Sequence, residues 1–328
     1  MDIFSCRTLL IILTFTPILA NAEIYKNGED ITSILNNQIQ ENKTINIPAG
    51  NFKIDAEKSI ILKNNVKIIM SPQTVLNVIP NKSNSYQVFR IHNVKNVKIM
   101  GGIIVGDKYT HEGVGGDWGM GIEIKDSQNI NISNMLIKKM WGDAIYIGSK
   151  GLYNNNNIYL ENLKLDDNRR QGISIISAQN LYANNISIAN TSGAAPGSGI
   201  DIEPNDNKAF LKNLNFKNII TKNNKGMGIQ TTLKFYKESL NPISINIYNH
   251  KDFGSNFGFL VNGVDSKING NINVLNADYK NNKYSNLCFS KWENSKFTVN
   301  LEKMNNDKQL YIGQWCEDFR INKQVKFK

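Results

Sequence analysis

The sequence predicts an all-β solenoid, in which short parallel strands repeat coil after coil. Three observations carry this expectation. A recurring segment reads GMGIEI, GDAIYI, RQGISI, GSGIDI, KGMGIQT and NFGFLV, with small residues at Gly121, Ala144, Gly172, Gly199, Gly228 and Gly258. Successive copies lie 23 to 30 residues apart. Two apolar columns follow the small residue, Ile122, Ile145, Ile173, Ile200, Ile229, Phe259 and then Ile124, Ile147, Ile175, Ile202, Thr231, Val261. Side chains alternate along a strand, so both columns share one face.

The third observation lies between these copies. Ile130-x-Ile132 precedes Met135-x-Ile137, and Ile158-x-Leu160 precedes Leu163-x-Leu165. Leu181-x-Ala183 precedes Ile186-x-Ile188, and Ala209-x-Leu211 precedes Leu214-x-Phe216. An Asn stands before each second pair, at Asn134, Asn162, Asn185 and Asn213, with Gly101 in the preceding repeat. Asn and Gly are the residues that most readily take a left-handed backbone. Each coil therefore holds three short strands with a bend at a fixed Asn, and stacked coils would line the Asn side chains into a ladder. Helical solenoids are excluded because the apolar period is two and β-branched, Asn-rich segments make poor helices.

The flanks follow from composition. Residues 1–22 carry one Arg, an apolar run and Ala20-Asn21-Ala22, the pattern of an export signal cleaved after Ala22. The run is short for a membrane span. The remainder, 23–328, is expected to be one domain acting as a secreted or periplasmic monomer, without a transmembrane segment. Its caps are expected at about 24–50 and about 285–328. After signal removal Cys288 and Cys316 remain. In an oxidising compartment they can form a disulfide worth about 3–4 kcal/mol, or stay as two buried thiols. The net charge of +10 is spread over many Lys. That favours an acidic polysaccharide as partner, and no nucleic-acid-binding module is recognisable.

With this repeat in place, the chain resembles the right-handed parallel β-helix of the pectate-lyase-like superfamily. The segment EDITSILNNQIQENKTINIPAGNFKI is similar to that superfamily's opening, where a capping helix (here about 30–41) precedes a strand and a PxG turn at Pro48 and Gly50. The resemblance implies a fold more than a reaction, since the superfamily holds lyases, hydrolases, epimerases, tailspikes and adhesins. It also implies that the substrate groove runs along the GxGIxI strand.

Outward residues of that strand are Glu123, Tyr146, Ser174, Asp201 and Gln230, one coil apart each. Glu203 follows Asp201 on the same face, about 6.5–7 Å along the strand. Entering turns bring Asp143, Arg169, Arg170 and Gln171, and the insertion before Gly121 brings His111, Asp117 and Trp118. Asp201, Glu203, Arg170, Arg169, Asp143 and Tyr146 are the catalytic candidates. Glu123, Gln171, Ser174, Gln230, Trp118, Trp141 and Lys208 are the substrate-binding candidates, the two Trp as stacking faces. A wet outer face would also carry polar residues without function, and Arg169 and Arg170 could simply pair with Asp166 and Asp167.

Three functions remain in play. β-Elimination or C5 epimerisation of uronic acids needs a neutraliser for the sugar carboxylate, which Arg169 or Arg170 would supply, or a Ca²⁺ on Asp201 and Glu203. Asp201, Glu203 and Lys208 resemble the calcium-and-lysine arrangement of some β-helix lyases, though no Arg follows in the next coil. NRRQGI is loosely similar to a segment of alginate epimerases, whose DPxD-type motif is absent. Inverting glycoside hydrolysis needs two carboxyls about 6.5–9.5 Å apart, which Asp201 with Glu203 or with Asp143 would meet. The NTD and GHG motifs of β-helix polygalacturonases are missing. The third function is non-catalytic polysaccharide binding. Elimination or epimerisation is the leading expectation.

Overall fold

The structure is a computed structural model that describes residues 24–306, 316–317 and 323–328. The expected export signal, 1–22, lies outside the described residues. Among those described, strands fall into a nine-stranded and a seventeen-stranded sheet, both parallel. The nine-stranded groove sheet stacks its strands in chain order, from Ile60–Ile61 through Ser85–His92, Trp118–Lys125, Ile145–Gly148, Ile173–Ile175, Ile200–Ile202, Met227–Thr232 and Phe257–Val264 to Ser285–Trp292. No described helix is long and apolar enough to cross a membrane.

Register explains why the repeat was visible. Ile122, Ile145, Ile173, Ile200, Ile229 and Phe259 pair coil to coil, as do Ile124, Ile147, Ile175, Ile202, Thr231 and Val261. All twelve are sealed in the core. Burying such columns between coils is the main stabilising force of a solenoid, because no single coil can bury its own apolar face.

The larger sheet carries the other two strands of each coil, run together as long strands such as Gln128–Lys138, Asn156–Asp166, Ala178–Ala189 and Leu211–Lys222. Each is bent at left-handed Asn residues. Two ladders run down these bends, where the sequence predicted one. The first runs Asn42, Asn65, Asn96, Asn129, Asn157; Asn180 is level with Asn157 but bonds Asn156, and Asn213 bonds Asn180. The second runs Asn134, Asn162, Asn185, and continues Asn218, Asn249, Asn276. Asn213 therefore belongs to the first ladder, a correction to the expected alignment. The Ile186↔Ile219 pairing shows why: Asn218 is the residue level with Asn185. Gly101 replaces Asn at φ 83°, where a Cβ would lie 2.2 Å from the Met70 carbonyl oxygen, so only glycine fits.

The N-terminal helix is Thr32–Gln38, shorter than the expected 30–41. Asp30 opens it, accepting from the Thr32 N–H at 2.9 Å and the Thr32 hydroxyl at 2.6 Å. Ile39 already has extended backbone, and Ile31, Leu35 and Ile39 cover the open end of the core. At the other end Cys288 and Cys316 form a disulfide with Cα atoms 5.1 Å apart.

Candidate active site

On the outer face of the groove sheet, Arg90, Glu123, Tyr146, Ser174, Asp201, Gln230, Leu260 and Cys288 stand in one row, paired coil to coil. A second row two residues on contains His92, Lys125, Gly148, Glu203, Thr232, Asn262 and Ser290. The first row departs from expectation in one respect. It points outward but is not wet: Glu123, Ser174, Asp201 and Gln230 are buried, and Asp201 is only 2% exposed. Side chains of the entering turns bond to the row, Gln171 to Asp201 and Asp143 to Ser174.

Asp201 is the centre of this network. Gln171 Nε2 donates to its Oδ2 at 2.9 Å and Gln230 Nε2 to its Oδ1 at 2.6 Å. Gln171 is fixed in that orientation because its Oε1 accepts the Ser198 N–H at 2.8 Å. Burial, reinforced by the charge of Glu203, pushes the Asp201 carboxyl up to about 7. In the turn entering the strand two coils earlier, Asp143 accepts from Arg170 at 3.1 Å and from the Ser174 hydroxyl at 2.7 Å. Burial raises Asp143 to about 6, with Arg170 opposing the rise. Burial alone would lower Arg170, but the carboxylates of Asp143 and Asp201 hold it above its ordinary value.

The flanking coils differ. Burial works to raise Glu123, yet His92 at 2.6 Å and Lys125 at 2.6 Å outweigh it and hold the carboxylate below its usual range. Tyr146 lies along its strand with the phenolic end over Gly148, where a Cβ would be 2.3 Å from its ring. Burial, with Glu123 and Asp143 adding to it, raises this phenol, so it stays protonated. Glu203 pairs with Lys234 at 3.2 Å.

Beside Asp201 opens a groove of about 730 Å³. Arg170, Glu203, Gln230 and Lys234 line it, together with the apolar Met227, Phe257 and Leu260, the half-cystine Cys316 and polar residues such as Asn262 and Ser290. Asp201 is not itself in the lining, but it bonds Gln230 and interacts electrostatically with Glu203 and Arg170, which are.

The chain superposes on a tailspike protein of an Acinetobacter baumannii bacteriophage, a capsular polysaccharide depolymerase, with TM-score 0.63 and 14% identity, covering 93% of this chain and 60% of that one. It superposes on a polygalacturonase from Erwinia carotovora subsp. carotovora with TM-score 0.58 and 14% identity, covering 92% and 95%. The catalytic domain of an α-1,3-glucanase gives TM-score 0.60 and 14% identity, covering 89% and 62%. The fold is the right-handed parallel β-helix that these proteins share. At such identity the likeness to these β-helices concerns fold alone. By sequence, the chain is 31% identical over 186 residues to the uncharacterized Bacillus subtilis protein YclG, and 28% over 187 residues to the prophage-derived YorA of the same organism. The matched part spans about half of this chain and 32% of either relative. No protein-family model matches.

The β-helix gathers Asp143, Arg170 and Ser174 into one hydrogen-bonded cluster and Gln171, Asp201 and Gln230 into another, coupled by the charges of Arg170 and Glu203, with Tyr146 and Glu123 on adjoining coils. Four expectations need correction. Arg169 does not face the groove: it donates to Asp117 at 2.9 Å and Gly116 O at 3.0 Å and lies 3.9 Å from the Trp141 ring centroid. Trp141 offers no free face, because His111 stacks on it at 4.0 Å and Arg169 lies against it. Lys208 is exposed in the turn after the strand, is not among the residues lining the groove, and the position expected to match it in the Asn row belongs to Asn213. Ca²⁺ does not fit Asp201 and Glu203, since both Asp201 oxygens face amide N–H groups that place positive hydrogens where a cation would sit. Trp118, 53% exposed, stands at the start of its strand beside Asp117.

Arg170 pairs with Asp143 rather than with Asp166 or Asp167. Sequence reasoning missed His92, Lys125 and Lys234. Counting two residues beyond each outward position would have found His92 and Lys125, since that row shares the face. Lys234 follows the end of its strand and carried no periodic signal.

Proposed function

We propose that the protein is an exported carbohydrate-active enzyme that cleaves an acidic polysaccharide by hydrolysis, with Asp201 as proton donor. One observation carries the reading: a carboxyl pushed to about 7 bonds the lining of a groove, beside a second carboxylate and an arginine. A carboxylic acid still protonated near neutrality can donate to the glycosidic oxygen as the bond breaks. Asp143, ionised above about 6, is the matching base that activates water. Arg170 and Lys234 at the groove fit a uronate or sulfated sugar, and Trp118 fits a more distant ring. The glycan-acting fold neighbours support the substrate class.

Elimination or epimerisation of uronates remains as a second reading, favoured by Arg170. Only one of its terminal nitrogens bonds Asp143, which leaves N–H groups for a sugar carboxylate. The test is incubation of the protein with a panel of acidic glycans. New reducing ends without the ultraviolet absorbance of an unsaturated uronide mark hydrolysis, that absorbance marks a lyase, and changed epimer ratios without cleavage mark an epimerase. Silence across the panel, or full activity in Asp201→Asn, sinks the proposal.

A further inference from the structure

The part of the groove beyond Asp201 combines two features that no polar sugar hydroxyl satisfies together. Gln230 is 3% exposed and lines the groove. Its Nε2 points back one coil to Asp201, while its Oε1 is buried with no hydrogen-bond partner. Among the described residues ten buried side-chain polar atoms lack a partner, and this is the one that belongs to a residue lining the groove, where a ligand could supply the missing donor. The next coil supplies none, because the residue paired with Gln230 is Leu260. Leu260 joins Phe257, Met227 and the Cys288–Cys316 disulfide in an apolar cluster separate from the core. Leu260 and Phe257 keep 9% and 8% of their surface exposed, and with Met227 they line the same groove.

A ligand group that fits this spot must bring an N–H or O–H to the amide oxygen and an apolar end to the leucine side. A hydroxyl brings only the donor, and an O-acyl ester brings only the methyl. An acylamino substituent brings both, with the N–H and the methyl on either side of one carbonyl carbon. We propose that this part of the groove is a subsite for an N-acylated amino-sugar unit, with Gln230 Oε1 accepting from the acylamino N–H and Leu260, Met227 and Phe257 bedding the acyl methyl. The subsite rests on the reading that the groove binds a glycan, and does not require that the glycan be cleaved.

The test uses the methyl glycosides of N-acetylglucosamine and N-acetylgalactosamine against those of glucose and galactose, titrated into the full chain and followed by the side-chain amide resonances of Gln230. The single-residue glycosides remove any dependence on linkage. The N-acetyl sugars should bind about tenfold more tightly than their hydroxyl counterparts, the discrimination that a correctly filled pocket gives. Gln230→Leu should abolish the preference, and Leu260→Ala, which keeps the acceptor, should reduce it. Equal binding of the two sugar classes, or a preference that survives Gln230→Leu, overturns the subsite. A protein that prefers the N-acetyl sugars but cleaves no polysaccharide keeps the subsite and loses the hydrolase. One that cleaves without the preference loses the subsite alone.

Discussion

The two outer faces of this solenoid repeat with the same period and use it in opposite ways. Along the bends of the larger sheet, coil after coil presents Asn, with Gly101 as an exception, and an Asn amide both donates and accepts. A stack of Asn therefore satisfies itself, as in the link from Asn162 to Asn134 at 3.0 Å and from Asn185 to Asn162 at 2.8 Å. Along the groove sheet each coil presents a different residue, Glu123, Tyr146, Ser174, Asp201, Gln230, then Leu260. A mixed row cannot satisfy itself by repetition. It recruits turn residues such as Asp143, Arg170 and Gln171, and it leaves carboxyls at about 6 and about 7. Repetition here builds the frame, and departure from repetition builds the site.

The largest effect should come from breaking what both faces depend on. Ile200 is fully buried between coils. Ile200→Asp places an unpaired carboxylate there and should cost about 4 kcal/mol or more, enough to prevent folding. Circular dichroism and thermal denaturation would show it. A well-folded variant would mean that the inner and outer faces are reversed.

Next comes the groove row itself. Asp201→Asn should lower hydrolysis by about 10² or more, the share a positioned acid supplies, while stability at pH 7 changes by about 1 kcal/mol or less. The amide is tolerated because Gln230 can turn its unpartnered Oε1 toward the new N–H₂ group. Unfolding of Asp201→Asn would show that the carboxyl is structural. The wild-type rate should follow a narrow bell: it rises through about 6 as Asp143 ionises and falls through about 7 as Asp201 loses its proton. A rate that keeps climbing above pH 8 would remove Asp201 as the donor.

The same contrast explains what could be read from the chain. The columns headed by Ile122 and Ile124 are periodic, so inward faces, parallel pairing and the groove row followed from counting. Asn213 was placed in the wrong ladder because each long strand holds two left-handed bends, and a spacing pattern cannot distinguish them. The engagement of Arg169 by Trp141 and Asp117 depends on how the insertion before Trp118 folds back, and a loop of that kind has no period. The burial of Asp201 escaped for a related reason. Alternation says which way a side chain points but not what covers it.

A smaller effect should separate the frame from the site. Asn162 has φ 54° and sits in the middle of its ladder. Asn162→Ala loses two ladder bonds and puts a residue that tolerates the left-handed backbone less well than Asn at that bend, at a cost of about 1–3 kcal/mol. Asn162→Gly restores the conformation and should recover about half of that loss. Neither should alter activity per folded molecule, measured alongside the urea midpoint. A change in activity would show that the two faces are coupled.

The smallest effect tests whether burial alone raises a carboxyl in this fold. Asp252 is buried in the larger sheet, away from the groove, and accepts from Thr221 at 2.5 Å, from Ser255 at 2.7 Å and from Asn282. Burial pushes it up to about 6 against those hydrogen bonds. The folded chain then holds a proton that the unfolded chain releases at about 3.9. Between those values the folded state binds more protons, so the Asp252 contribution makes stability fall as pH rises from about 4 to about 6 and changes no further above that. Asp143 and Asp201 act in the same direction, so Asp252→Asn should not flatten the profile but make it shallower by up to one proton, about 1.4 kcal/mol per pH unit. Stability at pH 7 should move by about 1 kcal/mol or less, since the amide removes an unfavourable charge while disturbing the hydroxyl donors. Urea unfolding across that pH range measures both quantities. An unchanged slope would mean that Asp252 ionises as it would in water, and the burial argument that makes Asp201 a proton donor would weaken with it.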